Sequence, residues 1–493
     1  MENNSNSKII FYILAFCFLI RLYHITFPVS GWHAWRQADT AAIAKNFYES
    51  GNNILYPQID WRGDTKGYVE SEFHIYPYLI SLVYNISGVN DGVGRCISVI
   101  FSLFTIYGLY LLVRKFISEN AALLTALIYG IIPLSIYFSR VVMPEPAMLM
   151  CSVYGIYFFS EWIDKNKWKY FIYAFIFLAL AILVKIPCLY LGFPLMFLAY
   201  NKYKVKMFGN WKLLLLIVLI FIPVILWYYH ANQLLKETGL TFGVWDTNDK
   251  WGHLNIIFSF KFYNDVFFKS IAERHLTYAG FIPFLIGLFI KRKNRSEYLF
   301  DVWLLSIIFY ILLLAKGNQV HEYYQLPFIL PAVVFIGKAF DKFFPLDISD
   351  MFRKKVHSSN SNRSLSILFV IFLFGIIVLS FLRTSNLYSN EDYNSPLFKM
   401  ALDIDKASAK NDLIITVCNG DPVFLYRADR KGWIVTPGNI SVENIKDKQS
   451  RGAKLLAGDK TYFDDNSRKD LEELKKNYKV IEDNKDYFIL RLD

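Results

Sequence analysis

Charge is scarce in this chain and unevenly spread. Of 493 residues only 19% are charged, while 54% are apolar and 18% aromatic; a soluble protein carries roughly a quarter charged residues. The few charges fall between apolar runs such as 9–20 and 365–382. Runs of about 17 to 25 residues nearly free of charge match the thickness of a bilayer. Cysteine pairs are also lacking. Cys17, Cys96, Cys151, Cys188 and Cys418 stand alone, which argues against a disulfide framework and against a CxxC metal knuckle. No small-residue cleavage site follows 9–20 and Arg21 interrupts the run, so it reads as a retained first span and not as a removed signal peptide.

What is present points to a membrane. The 44 phenylalanines and 33 tyrosines crowd the ends of apolar runs, where an interfacial belt places them. The net charge of +11 is explained by retention of basic residues in short cytoplasmic loops, so nucleic acid is not expected as a partner. Apolar runs predict about eleven spans, near 9–27, 97–113, 120–138, 146–162, 170–185, 188–200, 213–228, 277–290, 299–315, 324–340 and 365–382. With these, the basic clusters Arg114–Lys115, Lys165–Lys169, Lys202–Lys206, Lys291–Arg295 and Lys338–Lys355 all fall on one side. That side is expected to be cytoplasmic, with the N-terminus inside and the C-terminal region outside. The segment 74–88 is apolar but short, and counting it as a span would invert every later loop. It is therefore expected to lie in the outer interface.

The organisation that follows is a membrane module over residues 1–385, with a long first outer loop at 28–96, and a small extracytoplasmic α/β domain over 386–493. In the latter, charges become frequent. Short apolar runs at Leu413–Val417, Gly432–Val435 and Tyr487–Leu490 alternate with helix-like stretches at Pro396–Ala409 and Ser467–Lys476, the pattern of a small sheet with helices. It carries no phosphate-binding glycine pattern and reads as an accessory domain.

Four polar clusters share the predicted outer side. The first, GWHAWRQADT over 31–40, predicts a helix along the membrane surface, with Arg36, Asp39 and Thr40 on one face because residues three and four apart are neighbours. It is either a solvated helix with an Arg–Asp pair or a functional cluster. The second contains Glu70, Glu72 and His74, just before the interfacial segment. In the third, SRVVMPEP over 139–146, Arg140 and Glu145 stand where one span ends and the next begins. Prolines suit such a helix entry, and ionised groups at such depth are usually paired or functional. The fourth runs from Lys316 through HEYYQLPFILP, where Lys316 and His321 can hold a phosphate and Tyr323 or Tyr324 can supply hydroxyl hydrogen bonds.

Through the stretch HAWRQADTAAIAKNF, SRVVMPEP and HEYYQLPFILP, spread over about residues 9–340, the chain resembles the polyprenyl-phosphate-sugar-dependent glycosyltransferases of family 39. These belong to the membrane GT-C class, with protein O-mannosyltransferases and the lipid A aminoarabinose transferase as relatives. The resemblance implies an all-α polytopic membrane fold and an inverting transfer of a hexosyl or pentosyl group. The donor would be a polyprenyl-phosphate-linked sugar, and the acceptor a glycan, lipid or protein of the cell envelope, on the outer face of a bacterial plasma (inner) membrane. It makes Asp39 the first-loop acid and Glu145 the second-loop acid. Arg36, Arg140, Lys316, His321 and Tyr323 become candidates for the donor phosphate, and Glu70, Glu72 and His74 further candidates. Some members of the class use a divalent cation, Mg or Mn, for which Asp39 and Glu145 would be the ligands. Two departures stand out: Arg36-Gln37 replaces the usual adjacent Asp-Glu pair, and Phe73-His74 stands where aminoarabinose enzymes carry a Lys.

Two other readings remain. A transporter or flippase of a lipid-linked or polar solute would place ionisable groups near the bilayer midplane and often show two related halves; the sequence shows no clear repeat. A non-catalytic assembly protein would use its C-terminal domain to bind an envelope partner.

Overall fold

The computed structural model describes residues 2–244, 254–343, 363–388 and 396–493. A helix lies at each of the eleven positions where an apolar run predicts a span. Four of these have the length and composition to cross a membrane: Asp91–Phe116, Trp211–Thr238, Arg295–Leu313 and Ser364–Tyr388. Three shorter apolar helices cover Glu119–Ile131, Trp168–Val184 and Thr277–Phe289. Prolines set two of the interruptions. Pro133 follows the helix Glu119–Ile131 and opens Pro133–Phe138, where its missing amide costs nothing in a first turn. Pro187 sits in the 3-10 stretch Ile186–Leu191, which separates Trp168–Val184 from Gly192–Tyr203. The basic cluster beginning at Lys338 runs past residue 343, and that part lies outside the described residues.

The chain divides into two compact units. The first comprises residues 1–25, 95–229 and 243–387; the second comprises 26–94, 230–242 and 388–493. Within the first, small residues let helices approach closely, as apolar bundles require. A Cβ on Gly155 would meet Leu178 at 2.6 Å, and one on Gly337 would meet Thr125 Oγ1 at 2.2 Å.

The second unit groups residues 26–94 of the first loop with the C-terminal residues. Its sheet has five strands: β1 Leu413–Val417, β2 Lys431–Val435, β3 Ala453–Asp459, β4 Lys479–Asp483 and β5 Tyr487–Arg491, in the order β2-β1-β3-β5-β4. β1 pairs in parallel with β2 and β3, while β5 runs antiparallel to β3 and β4. The helices Pro396–Ala407 and Asp465–Asn477 lie near their predicted places. Two apolar clusters form the core, one with Ile415, Leu456 and Leu474, the other with Ile404, Leu425 and Ile489. The segment 74–88 forms the helix Ile75–Ser87 and belongs to this unit, where the Tyr76 hydroxyl donates to the Gly94 carbonyl at 2.8 Å.

Candidate active site

The predicted first-loop helix is present as Ala34–Glu49, but it is not a solvated surface helix: twelve consecutive residues, Arg36 to Phe47, are buried. Ile43 and Phe47 pack on Ile59 and Val69 from the same loop. That enclosure is why its charged side chains each need a partner. Arg36 does not pair with Asp39. It forms an ion pair with Glu72, and its guanidinium lies 4.9 Å from the Phe242 ring centroid. Asp39 instead accepts a hydrogen bond from the Trp61 indole, Nε1 to Oδ1 2.9 Å.

Burial pushes the Asp39 carboxyl up to about 7. The Trp61 hydrogen bond and the Arg36 charge oppose that rise, while the carboxylates of Asp60 and Asp421 add to it. Such a group changes protonation near neutrality, as a general base should. Asp60 is also raised by burial; the Lys45 ammonium opposes the shift, and Asn46 donates to Oδ1 at 3.0 Å. Glu70 accepts from the Thr241 hydroxyl, and His74 is hydrogen-bonded to Ser71. Burial, aided by the nearby Arg36, holds His74 down at about 3. It is therefore neutral near pH 7 and can exchange hydrogen bonds there but carry no charge.

The remaining predicted residues belong to the first unit. Glu145 opens the helix Glu145–Lys165, where a carboxylate is favoured by the helix dipole. Its side chain is 1% exposed, neither oxygen accepts a hydrogen bond, and its countercharge is Lys185, Nζ to Oε1 3.1 Å. The Lys185 ammonium also faces the rings of Tyr323 and Tyr324, each 5.8 Å away at its centroid. His321 stacks on Tyr323 at 5.2 Å, and the Tyr324 carbonyl accepts from the Tyr310 hydroxyl at 2.9 Å. Arg140, fully buried, donates to the His24 carbonyl at 2.9 Å. Lys316 lies on the short helix Ala315–Val320 that leads into His321.

Glu145, Tyr323 and Tyr324 thus gather around Lys185, a residue to which the sequence reading gave no role, with His321 stacked behind on Tyr323. Its signal was there, since it is the lone charge in the apolar stretch 170–201. Asp39 and Glu145 belong to different units. Among the described residues no group of three or more His, Cys, Asp or Glu side chains is placed to hold a metal ion.

Comparison with known proteins agrees with this architecture. Residues 74–227 match the family described as dolichyl-phosphate-mannose-protein mannosyltransferase. The chain is similar to ArnT from Cupriavidus metallidurans, solved bound to undecaprenyl phosphate, with a TM-score of 0.67 at 13% identity over 98% of this chain and 97% of that one. It is also similar to the oligosaccharyltransferase AglB from Archaeoglobus fulgidus, solved with an inhibitory peptide and a dolichol-phosphate. There the TM-score is 0.58 at 13% identity, over 96% of this chain and 72% of that one. No curated protein sequence matches the chain. The matched segment and the shared fold bear out the resemblance read from the polar clusters: this chain is built on the fold of the GT-C membrane glycosyltransferases.

Proposed function

We propose that the protein is an inverting glycosyltransferase that moves a single hexosyl or pentosyl group from a polyprenyl-phosphate donor to a cell-envelope acceptor. The reaction would take place on the outer face of a bacterial plasma membrane. The observation that carries the proposal is Asp39: a buried carboxyl raised to about 7 and oriented by an indole donor, on a chain whose fold is that of lipid-phosphate-binding ArnT.

In the reaction, the acceptor hydroxyl oxygen bonds to the anomeric carbon as the bond from that carbon to the phosphate oxygen breaks. The hydroxyl proton passes to Asp39. The phosphate leaves as an anion and needs no acid, so catalysis rests on one base and on neutralising cations. Direct displacement inverts the anomeric centre. Arg36 is committed to Glu72, which makes Lys185 the stronger candidate for neutralising the phosphate, with Lys316, His321 and Arg140 as further cationic candidates and Tyr323 as a hydroxyl donor. Glu145 then holds the Lys185 ammonium in place. Mg or Mn, if required, is detected by loss of turnover on chelation and its return on adding the ion.

The test is transfer from purified polyprenyl-phosphate sugars to envelope extracts by the detergent-solubilised protein. Turnover by the wild type that disappears in Asp39→Asn supports the reading. Full turnover in that variant removes Asp39 as the base, and transport of an intact lipid-linked solute without transfer replaces the enzyme reading altogether.

A further inference from the structure

In the second unit, β2 is an edge strand, and an uncovered edge leaves N–H and C=O groups without partners. The first loop covers it. The Gly432 amide donates to the Asp60 carbonyl at 3.0 Å, and the Gly63 amide donates to the Gly432 carbonyl at 2.7 Å. Both positions need glycine, Gly432 for its pairing with β1 and Gly63 for its turn beside Trp433. A Cβ on Gly432 would lie 1.9 Å from the Ile414 carbonyl oxygen. One on Gly63, whose φ is +60°, would lie 2.7 Å from Trp433 Nε1.

Between the two bonded residues stands Trp61. Its ring packs on the C-terminal core that contains Ile404, Leu425 and Ile489, while its Nε1–H reaches Asp39. The helix carrying Asp39 is tied to the same domain a second time, through the ion pair of Lys45 with Asp429. The loop after β1 brings Asp421 close enough to act on the Asp39 carboxyl.

We propose that the C-terminal domain is a positioning element of the transferase: it clamps residues 60–63 on the edge of β2 so that Trp61 holds the Asp39 carboxyl in one orientation. The inference rests on the reading of Asp39 as the base. It reverses the accessory role that the sequence suggested for residues 386–493, and it makes Trp61 a positioning residue, since it acts through Asp39.

The charged groups that act on Asp39 are Arg36, Asp60 and Asp421, and all three are retained in Trp61→Phe. That variant keeps an aromatic ring against the core, removes the N–H and leaves a smaller side chain. A hydrogen bond to the charged form of an acid favours ionisation, so its loss moves the acid limb of the kcat/KM profile upward. The expected shift is about one pH unit, the size of one charge-assisted hydrogen bond. Turnover should fall near neutral pH and recover in alkali. Gly63→Ala keeps the Trp61 side chain but crowds Trp433 and so loosens the hold of residues 60–63 on β2; it should shift the limb in the same direction, and it decides the matter where Trp61→Phe fails to fold.

The assay uses the full-length protein with a polyprenyl-phosphate sugar as donor. An unmoved limb in folded Trp61→Phe overturns the proposal, as does an unmoved limb in Gly63→Ala if Trp61→Phe does not fold. The two readings fail separately. An active Asp39→Asn removes the base and the clamp together, whereas an inactive Asp39→Asn with an unmoved profile in the other variants removes the clamp alone.

Discussion

At the residue scale, Asp39 links activity and stability with opposite signs. As a base it must be ionised, so kcat/KM should fall about tenfold per pH unit below its pKa of about 7. Asp39→Asn should lower turnover by roughly 10²–10⁴-fold. Stability behaves differently, because the folded protein holds a proton that the unfolded chain releases. Between the ordinary carboxylate value of 3.8 and about 7, the contribution of Asp39 therefore shrinks as pH rises. The melting temperature of Asp39→Asn minus that of wild type should accordingly grow more positive across that window; thermal unfolding in detergent at a series of pH values reads it directly. Lys185 makes a different prediction. Removing it leaves the Glu145 carboxylate buried without a countercharge, which costs about 3–5 kcal/mol, so the single variant confuses folding with function. In a Glu145→Gln background that penalty is absent. Adding Lys185→Gln there should raise the KM for a polyprenyl-phosphate donor by about 10- to 100-fold, the value of one charge-assisted contact to phosphate.

At the element scale, close helix contacts hold the first unit together, and glycine is what permits them. A Cβ on Gly287, in the helix Thr277–Phe289, would fall 2.1 Å from the Phe335 carbonyl oxygen, which is backbone and cannot yield. Gly287→Ala should therefore push the helix Leu326–Phe343 away and cost about 1–3 kcal/mol. Gly192→Ala, with nothing within 4 Å of the added carbon, should leave the melting temperature unchanged. Contacts of this kind separate what the sequence discloses from what it hides. Helix positions were legible because a helix lies at every apolar run, and the breaks at Pro133 and Pro187 follow from a missing amide. β1, β2 and β5 were legible as apolar runs. β4 was not, because Val480 and Ile481 face outward and leave no apolar pattern. The pairing of residues 60–63 with β2 joins positions some 370 apart in sequence, and no local pattern encodes a contact of that range. The same holds for the partners of Arg36 and Glu145. Arg36 stands three residues from Asp39, yet the fold pairs it with Glu72, and it gives Glu145 a countercharge in Lys185, forty residues on.

At the scale of the whole molecule, direction across the membrane rests on five basic loops, and their agreement makes a sharp test. Basic residues in short loops are retained on the cytoplasmic side, a rule that predicts Lys202–Lys206 inside and the sheet of residues 413–491 outside. Both regions offer exposed positions, Lys206 in the 3-10 stretch Lys204–Gly209 and Lys485 between β4 and β5. Cys96 is the one exposed native cysteine among the described residues, so it is first replaced by Ala. In intact cells freed of any outer barrier, a membrane-impermeant maleimide should then label Lys485→Cys and spare Lys206→Cys, and both should react once the membrane is opened. Labelling at 206 alone would put Asp39 and the C-terminal domain on the side of the cytoplasm, since both belong to one compact unit. A donor presented outside would then have no base to meet it. Sidedness is therefore a condition of the proposed chemistry as much as of the topology: it decides which pool of lipid-linked sugar Asp39 can serve.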